Sequence, residues 1–268
     1  MIDKPRALVE NLLLDSDLDY ARIYKDSGGS TVTPSKSTNG QLTDYDAHGP
    51  DDTFHISIAY HEDKIVDSAC IIADDIKSKL SYINIQYGPD YNTLTTAKTL
   101  TDFPADRVFI SLDSPITAKY FRINLEFDDV DPQVHNLNLY QAVIGKSIVF
   151  PHRPQRPYSR ATLHSEYEEQ VTHGGVRFRS VFHSGRAEIS HKFAFANDAE
   201  ASAYKSLYKD TSHFEQPFWW SEEPGTDPSS VRYVFAEPAF STTYTGPTLQ
   251  EAKLSMVEQG PRFLAHEV

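Results

Sequence analysis

The sequence is poor in sulfur and has no long apolar run. Its 268 residues include one cysteine, Cys70, and two methionines. A lone cysteine cannot form an internal disulfide and excludes the usual thiolate zinc sites. Cys70 lies in an apolar stretch, which indicates a small buried side chain. Because no run of about 18 apolar residues occurs, no membrane anchor is expected. The charged start has no apolar secretion core, so synthesis in a cytoplasm is expected.

Positive charge is also scarce. The chain has 25 lysines and arginines against 38 aspartates and glutamates, for a net charge of −13. The first 150 residues hold 13 basic against 23 acidic side chains, and the rest hold 12 against 15. An acidic surface repels a phosphate backbone, so no direct nucleic-acid binding is expected. The same charge would suit a channel wall along which DNA slides, or simply a solvated surface.

Motifs for catalysis and cofactor binding are missing as well. There is no nucleophile elbow, phosphate loop or dinucleotide fingerprint, and no two of the 11 histidines have helical metal-ligand spacing. Acidic clusters at 126–131, 44–46 and 51–52 offer oxygens for calcium or for glycan hydrolysis. They fit no calcium-loop pattern, so solvated loop charge is the simpler interpretation. We expect no enzyme, no cofactor and no metal.

Alternating apolar and polar residues predict a mainly β protein. Turn signals rich in proline, glycine and aspartate separate the alternating runs, and no helical stretches lie between them, so the first part is predicted to be an antiparallel β-sandwich. Three prolines within 151–157 predict an extended linker. The predicted domains are therefore 1–150 and 158–268. The alternating runs are 21–24, 54–60, 81–87, 107–112, 120–127 and 137–140, and the turn signals are 88–90, 102–104, 113–115 and 131–132.

Three segments of the first domain carry a family resemblance: SYINIQYGPDY at 81–91, AKYFRINL at 118–125 and NLYQAVIG at 138–145. In this order they resemble strands of the galactose-binding-like, or discoidin-type, jelly roll, over about residues 11–148. The resemblance implies that Arg122 supports buried polar structure and that ligands bind on loops at one end. The first segment departs from the family where a second glycine and a tryptophan are common, because Asn92 follows Tyr91 here.

The second domain is predicted to contain β-strands and one short helix. The helix is expected over 199–209 with Asp198 as its N-cap. About eleven residues are marginal alone, so this helix must pack against a sheet. Phe218 and Trp220 share one face of the next strand and are predicted to fill the core beneath the helix. Trp219 faces the other way and is predicted to lie in a subunit interface, with a core position as the alternative.

The order of elements from 177 to 258 resembles the tube-forming domain of tail-tip proteins of long-tailed bacteriophages, the distal tail and minor tail proteins. The resemblance implies a structural protein that forms an oligomeric ring, a hexamer or trimer, and joins the tail tube to the distal tip or baseplate. The implied partners are other phage tail proteins of the tube, hub and fibres. The implied location is the virion tail tip, after synthesis in the host cytoplasm.

Two sets of candidate residues follow. For the ring, Arg177, Arg179, Trp219 and Tyr233 are predicted to supply burial and charge pairing between subunits, although ordinary exposed charge explains the arginines equally well. The alternative function is a carbohydrate-binding host-recognition module of the virion.

In that alternative, Tyr45 and Tyr91 are predicted to contact a host surface glycan from loops at one end of the sandwich.

Overall fold

The structure is a computed structural model, and it describes eleven stretches of the chain. Among these residues, no helix is long and apolar enough to cross a membrane. For residues 18, 20–25, 45–46, 53–54, 138, 140–141, 159–171, 177–187, 229 and 242 the description covers the backbone alone. The described stretches are 4–9, 18–25, 45–46, 53–73, 76–103, 106–127, 138–155, 159–171, 177–237, 242–244 and 249–258.

The chain divides into two compact units, and the predicted mainly β fold is confirmed. Unit 1 comprises Met1–Ile148 with Ser221–Val231, and unit 2 comprises Val149–Trp220 with Arg232–Val268. The first crossing between the units falls next to the proline-rich segment. The predicted boundaries at 150 and 158, and the linker between them, stay predictions.

Unit 1 contains antiparallel strands and one short helix. Its main strand order is β3-β8-β4-β7-β5-β6, with β2 paired to β4. The elements are β1 (Arg6–Leu8), β2 (Leu18–Lys25), β3 (Tyr45–Asp46), β4 (Thr53–Ala73), α1 (Ile76–Lys79), β5 (Leu80–Gly88), β6 (Thr95–Leu100), β7 (Arg107–Phe127), β8 (Asn138–Gly145) and β9 (Ser147–Val149).

The long strands β4 and β7 form the centre of the unit 1 sandwich. Where Phe54–Ala59 pairs with Tyr120–Leu125, β2 and β5 flank the pair. From Ser68 onwards, β4 still pairs with β7, and β8 takes the place of β2 on its other side. Because side chains alternate between faces, every second residue points inwards. The inward set forms the core cluster, including Ile56, Ile83, Ile123 and Ile144, each 0% exposed.

The predicted turn at 113–115 is wrong, because β7 continues through it. Ser111 pairs with Ser68 and Ile116 pairs with Val66, so four residues of β7 lie opposite the single residue Asp67. The segment is therefore a bulge within a strand. Pro115 has no backbone N–H to donate, and it lies in the bulge, where β7 residues have no register partner on β4.

The described part of unit 2 contains antiparallel strands and one longer helix. Its strand order is β10-β11-β15-β13-β12, with β14 paired to β15. Its elements are β10 (Ser159–Val171), β11 (Arg177–Phe195), α2 (Asp198–Asp210), β12 (Phe218–Ser221), β13 (Arg232–Ala236), β14 (Thr242–Tyr244) and β15 (Gln250–Glu258). A 3₁₀ turn (Pro228–Ser230) between β12 and β13 belongs to unit 1.

Helix α2 confirms the predicted helix, but the predicted cap is wrong. Asn197, not Asp198, is the N-cap: its backbone is extended, and its side-chain oxygen accepts from the Glu200 N–H at 3.0 Å. Asp198 is the first helical residue, and its carboxylate binds Lys205 and Gln250 instead. Asparagine and aspartate cap equally well, so two adjacent candidates cannot be ranked by residue type.

Helix α2 packs on the sheet through its apolar stripe. Ala201, Tyr204 and Leu207 are fully buried, and the Tyr204 hydroxyl donates to the Lys253 carbonyl at 2.8 Å. Burial raises the pKa of Tyr204 to about 12. The Tyr204 hydroxyl, the one polar atom of this buried side chain, thus has a hydrogen-bond partner on β15. Packing against the sheet supplies the stabilisation that a short isolated helix lacks.

An aromatic cluster fills the core of unit 2. Trp220, Phe150 and Phe193 are fully buried, and the Phe150 ring centroid lies 4.8 Å from that of Phe193 and 5.2 Å from that of Trp220. Buried His191 packs against Trp220 in a tilted arrangement, with centroids 5.8 Å apart and an interplanar angle of 39°. The predicted core position of Trp220 is confirmed, and so is that of Phe218, which is 1% exposed.

Candidate functional site

The connection between β5 and β6 presents an aromatic side chain to solvent. Tyr91 is 50% exposed on this loop. The Asp90 carboxylate accepts from the backbone N–H groups of Asn92 and Thr93 at 2.8 and 2.9 Å. These bonds close a tight turn around Tyr91. The ring is therefore held on a constrained loop.

Gly88 fixes the base of the same loop. A Cβ at this position would lie 2.0 Å from the Thr93 carbonyl oxygen, which belongs to the backbone and cannot simply swing away. Only glycine allows the two ends of the loop to approach so closely. The tight approach is the structural reason for glycine at position 88.

Two side chains of β7 support the Tyr91 ring. The Tyr120 ring meets it edge-to-face, with centroids 6.1 Å apart and an interplanar angle of 85°. The Arg122 guanidinium lies over the Tyr91 ring, 5.0 Å from its centroid, in a cation–π contact. Tyr120 is buried, so Tyr91 rests on a fixed base while half of its surface stays open.

The sheet face around Arg122 is polar. Ile83, Ile85 and Ile123 point into the core, so the residues between them lie on the other face. On that face the register pairs Arg122 with Gln86 and Asn124 with Asn84. Thr99 donates to the Asn84 side-chain oxygen at 2.6 Å. We call Tyr91, Arg122, Gln86 and Asn84 the Tyr91 site.

This arrangement offers an open aromatic ring, a cation and amide hydrogen-bonding groups. Such a combination binds a ligand with both apolar and hydroxylated surfaces. In the described part of the chain, no three histidine, cysteine, aspartate or glutamate side chains lie together as a metal site. Most residues of the acidic clusters at 126–131, 44–46 and 51–52 fall outside the described residues or have only their backbone described.

The structure places the two predicted carbohydrate contacts on different elements. Tyr45 is in β3, which pairs with β8, and its side chain lies outside the described set. In the strand order, β3 is at the opposite end from β5 and β6, whose connection carries Tyr91. No contact between Tyr45 and Tyr91 is described, so a shared role stays a prediction.

The predicted interface residues are all in unit 2. Trp219 is 4% exposed, and its ring lies 4.6 Å from that of its register partner Tyr233. Burial raises the pKa of Tyr233. Arg177 and Arg179 begin β11, where Arg179 is the register partner of Glu169 on β10. The side chains of both arginines are outside the described set, and the interface roles stay predictions.

Arg122 differs from the expectation set by the family resemblance. Among the described residues its guanidinium makes no hydrogen bond to buried polar structure, and its contact is with the Tyr91 ring. The sequence contained the two residues but no signal that joined them, because they are 31 positions apart. Only the pairing of β5 with β7, which places Gly88 opposite Tyr120, brings the loop over Arg122.

No protein-family model matches the sequence, and no curated protein matches it. The solved structures that resemble the chain include carbohydrate-binding modules and a glycoside hydrolase, a GH29 fucosidase from Ruminococcus gnavus. CpGH89CBM32-6 from Clostridium perfringens shares 16% identity, with 51% of this chain and 99% of that chain covered and a TM-score of 0.35. Chitosan-binding module 1 of a Paenibacillus sp. IK-5 chitosanase/glucanase shares 19% identity, with 51% and 99% covered and a TM-score of 0.38.

The family 32 carbohydrate-binding module of EndoD from Streptococcus pneumoniae shares 15% identity, with 51% of this chain and all of that chain covered and a TM-score of 0.35. These values describe a distant likeness of about half the chain. Function can therefore be inferred only from the geometry of the Tyr91 site itself.

Proposed function

We propose that unit 1 is a carbohydrate-binding module and that the Tyr91 site is where the glycan binds. The observation that carries this proposal is the open Tyr91 ring, held on a constrained loop with Arg122 against it. The C–H face of a sugar ring packs on an aromatic face, and its hydroxyl groups need nearby donors and acceptors. Gln86 and Asn84 supply amide groups on the same sheet face.

Tyr244 is also an exposed aromatic residue among those described, so the choice of Tyr91 depends on its surroundings. Tyr244 is 64% exposed, more than Tyr91, but it lies on the three-residue strand β14 and no aromatic or cationic contact supports it among the described residues. A ring that must be immobilised on binding loses conformational freedom, which weakens binding. Tyr91 has already lost that freedom, so its loop is preorganised.

A glycan array probed with the full-length protein tests the proposal. We expect binding to a restricted set of glycans, and we expect Tyr91→Ala to weaken it roughly tenfold or more, because both ring stacking and apolar burial are lost. Tyr244→Ala is the matched control and should leave binding unchanged. If the unaltered protein, displayed multivalently, binds no glycan on a broad array, the proposal is wrong.

The proposed role needs no bond cleavage. We therefore expect a bound oligosaccharide to be recovered intact after prolonged incubation with the protein. Mass spectrometry of the recovered sugar checks this, and a shortened product that persists in a Tyr91→Ala control would point to catalysis elsewhere in the chain.

A ring-forming role in a phage tail tip is the second candidate. The observation in its favour is that β10 ends the unit 2 strand order and has β11 as its neighbour among the described strands. An unpaired strand edge can pair with another copy of the chain. Multi-angle light scattering at high protein concentration tests this idea, and a monomer under all conditions, including with tail proteins present, would argue against it.

A further inference from the structure

Arg122 is a cation whose described neighbours carry no negative charge. Its register partners are Ser57 on β4 and Gln86 on β5. The next residues of β7 on the same face are Tyr120 and Asn124. All four are uncharged at neutral pH. In a chain with a net charge of −13, a basic side chain amid uncharged neighbours is unexpected.

Other basic side chains of the protein do have carboxylate partners. Arg232 lies 3.0 Å from Glu258, and Lys98 lies 2.8 Å from Asp113. Arg6 lies 3.8 Å from Asp67 and also donates to Ser147. Arg122, by contrast, makes no ion pair or hydrogen bond with any described residue.

Two buried polar atoms at this position have no described partner. Arg122 Nε and Ser57 Oγ are both buried without a hydrogen bond among the described residues, and Ser57 is 0% exposed. On the other side of Ser57, the register partner is Arg22 of β2. One row across three strands thus reads Arg22, Ser57, Arg122. Buried donors nearly always find an acceptor, so Arg122 Nε and Ser57 Oγ are exceptions among the described residues. Arg122 as a whole is only partly buried, so a ligand at the Tyr91 site can reach the exposed part of its side chain.

We propose that the glycan bound at the Tyr91 site carries a carboxylate, as uronic and sialic acids do, and that Arg122 binds it. This inference rests on the proposed carbohydrate-binding function. A guanidinium matches a carboxylate because its planar fork donates parallel hydrogen bonds. The sugar ring then packs on Tyr91, beside the cation. The acidic surface of the rest of the chain repels polyanions, so the ligand has one carboxylate at its bound end and is not a densely charged polymer.

The decisive experiment compares matched glycans on the full-length protein. Isothermal titration is carried out with an oligosaccharide ending in a uronic or sialic acid and with its carboxamide derivative. Losing a hydrogen bond to a charged group typically changes affinity by about 10- to 100-fold. We therefore expect the protein to bind the acid roughly 10- to 100-fold more tightly than the carboxamide. Equal affinity for the two glycans overturns the carboxylate inference but leaves carbohydrate binding intact.

Three variants separate the two proposals. Arg122→Gln should remove the preference for the acid while retaining the affinity for the carboxamide. Arg122→Lys should restore only part of the preference, because an ammonium lacks the guanidinium fork. Tyr91→Ala should weaken binding of both glycans. Lys98→Gln, which alters a cation already paired with Asp113, is the control and should change neither affinity.

Folding and specificity need their own controls. Thermal unfolding of each variant shows whether the variant folds. If Arg122→Gln fails to fold, the comparison of acid and carboxamide binding by the unaltered protein still tests the carboxylate inference. A sulfated glycan of the same backbone is the second ligand. Binding of the sulfated form with no binding of the carboxylated form contradicts the proposal, and failure to bind any glycan overturns both proposals together.

Discussion

Tyr91 of unit 1 and Trp220 of unit 2 are both aromatic residues held by other rings, but their surroundings are opposite. Trp220 is 0% exposed within a cluster that includes Phe150 and Phe193. Tyr91 is 50% exposed, with Tyr120 and Arg122 against it. The buried ring serves stability, and the open ring has surface left for a ligand. The exposed fraction of the ring and the contacts that hold it, rather than the residue type, distinguish a ring that stabilises the core from one that is open to a ligand.

The largest effect is expected from the buried ring. Trp220→Ala should destabilise the protein by about 3–5 kcal/mol, because it opens a cavity in a packed aromatic core. Chemical denaturation measures this loss. Tyr244→Ala, at an exposed position, should stay within about 0.5 kcal/mol of the unaltered protein. Similar losses in the two variants would contradict the distinction between buried and open rings.

Gly88→Ala tests whether the Tyr91 loop is held by its base. The added methyl group would overlap the Thr93 carbonyl, so the loop must shift, at a cost of about 1–3 kcal/mol. Glycan affinity should fall with it, because Tyr91 moves relative to Arg122. Thr95→Ala, at an exposed position on the other side of the loop, is the control. Unchanged stability and affinity in Gly88→Ala would show that the loop is not constrained as described.

The cap of α2 gives a smaller effect in unit 2. Asn197→Ala should cost about 1 kcal/mol, because the Glu200 N–H loses its side-chain acceptor. Asn197→Asp keeps an acceptor and should retain stability. Chemical denaturation of both variants measures the free energy of unfolding. Equal losses in the two variants would show that Asn197 is not the N-cap. Binding at the Tyr91 site should be unaffected in either variant.

The smallest effect is the pH dependence of the start of α2. The pKa of Glu200 is lowered from its ordinary value of 4.5, first by the hydrogen bond from the Ala196 N–H and then by His152 at 3.0 Å. A lowered folded-state pKa gives stability that is present above pH 4.5 and is lost as pH falls through the folded pKa. Glu200→Gln should therefore be less stable than the unaltered protein at pH 7, and the difference should shrink below pH 4.5.

Denaturation curves of the Glu200→Gln variant and the unaltered protein at several pH values check this. A difference that grows as the solution becomes more acidic has the wrong sign and would exclude the assigned hydrogen bonds.

Alternation in the sequence predicted most of the strands, because a half-buried strand must place apolar residues at every second position. The turn signal at 113–115, which includes Pro115, was wrong. Proline and aspartate usually mark a turn, but a bulge satisfies the same backbone requirement without reversing the chain. The helix was predictable from its cap residues and apolar stripe, although two adjacent residues suited the cap equally.

The candidate site was predictable only in part. Tyr91 follows a turn signal, which places it on a loop and makes exposure expected. Its contact with Arg122 depends on the register of β5 against β7, which no local pattern specifies. The absence of a described acceptor for Arg122 likewise depends on which residues the register brings beside it. Such non-local facts require the structure.

Glycan binding by unit 1 through Tyr91 can be tested by an NMR titration of the full-length protein with a glycan selected on the array. We expect amide shifts to change first at Gly88, Tyr91 and Thr93 and along β7 at Arg122, and we expect Tyr91→Ala to abolish these changes. Shift changes confined to unit 2, or identical changes in the Tyr91→Ala variant, would contradict binding through Tyr91.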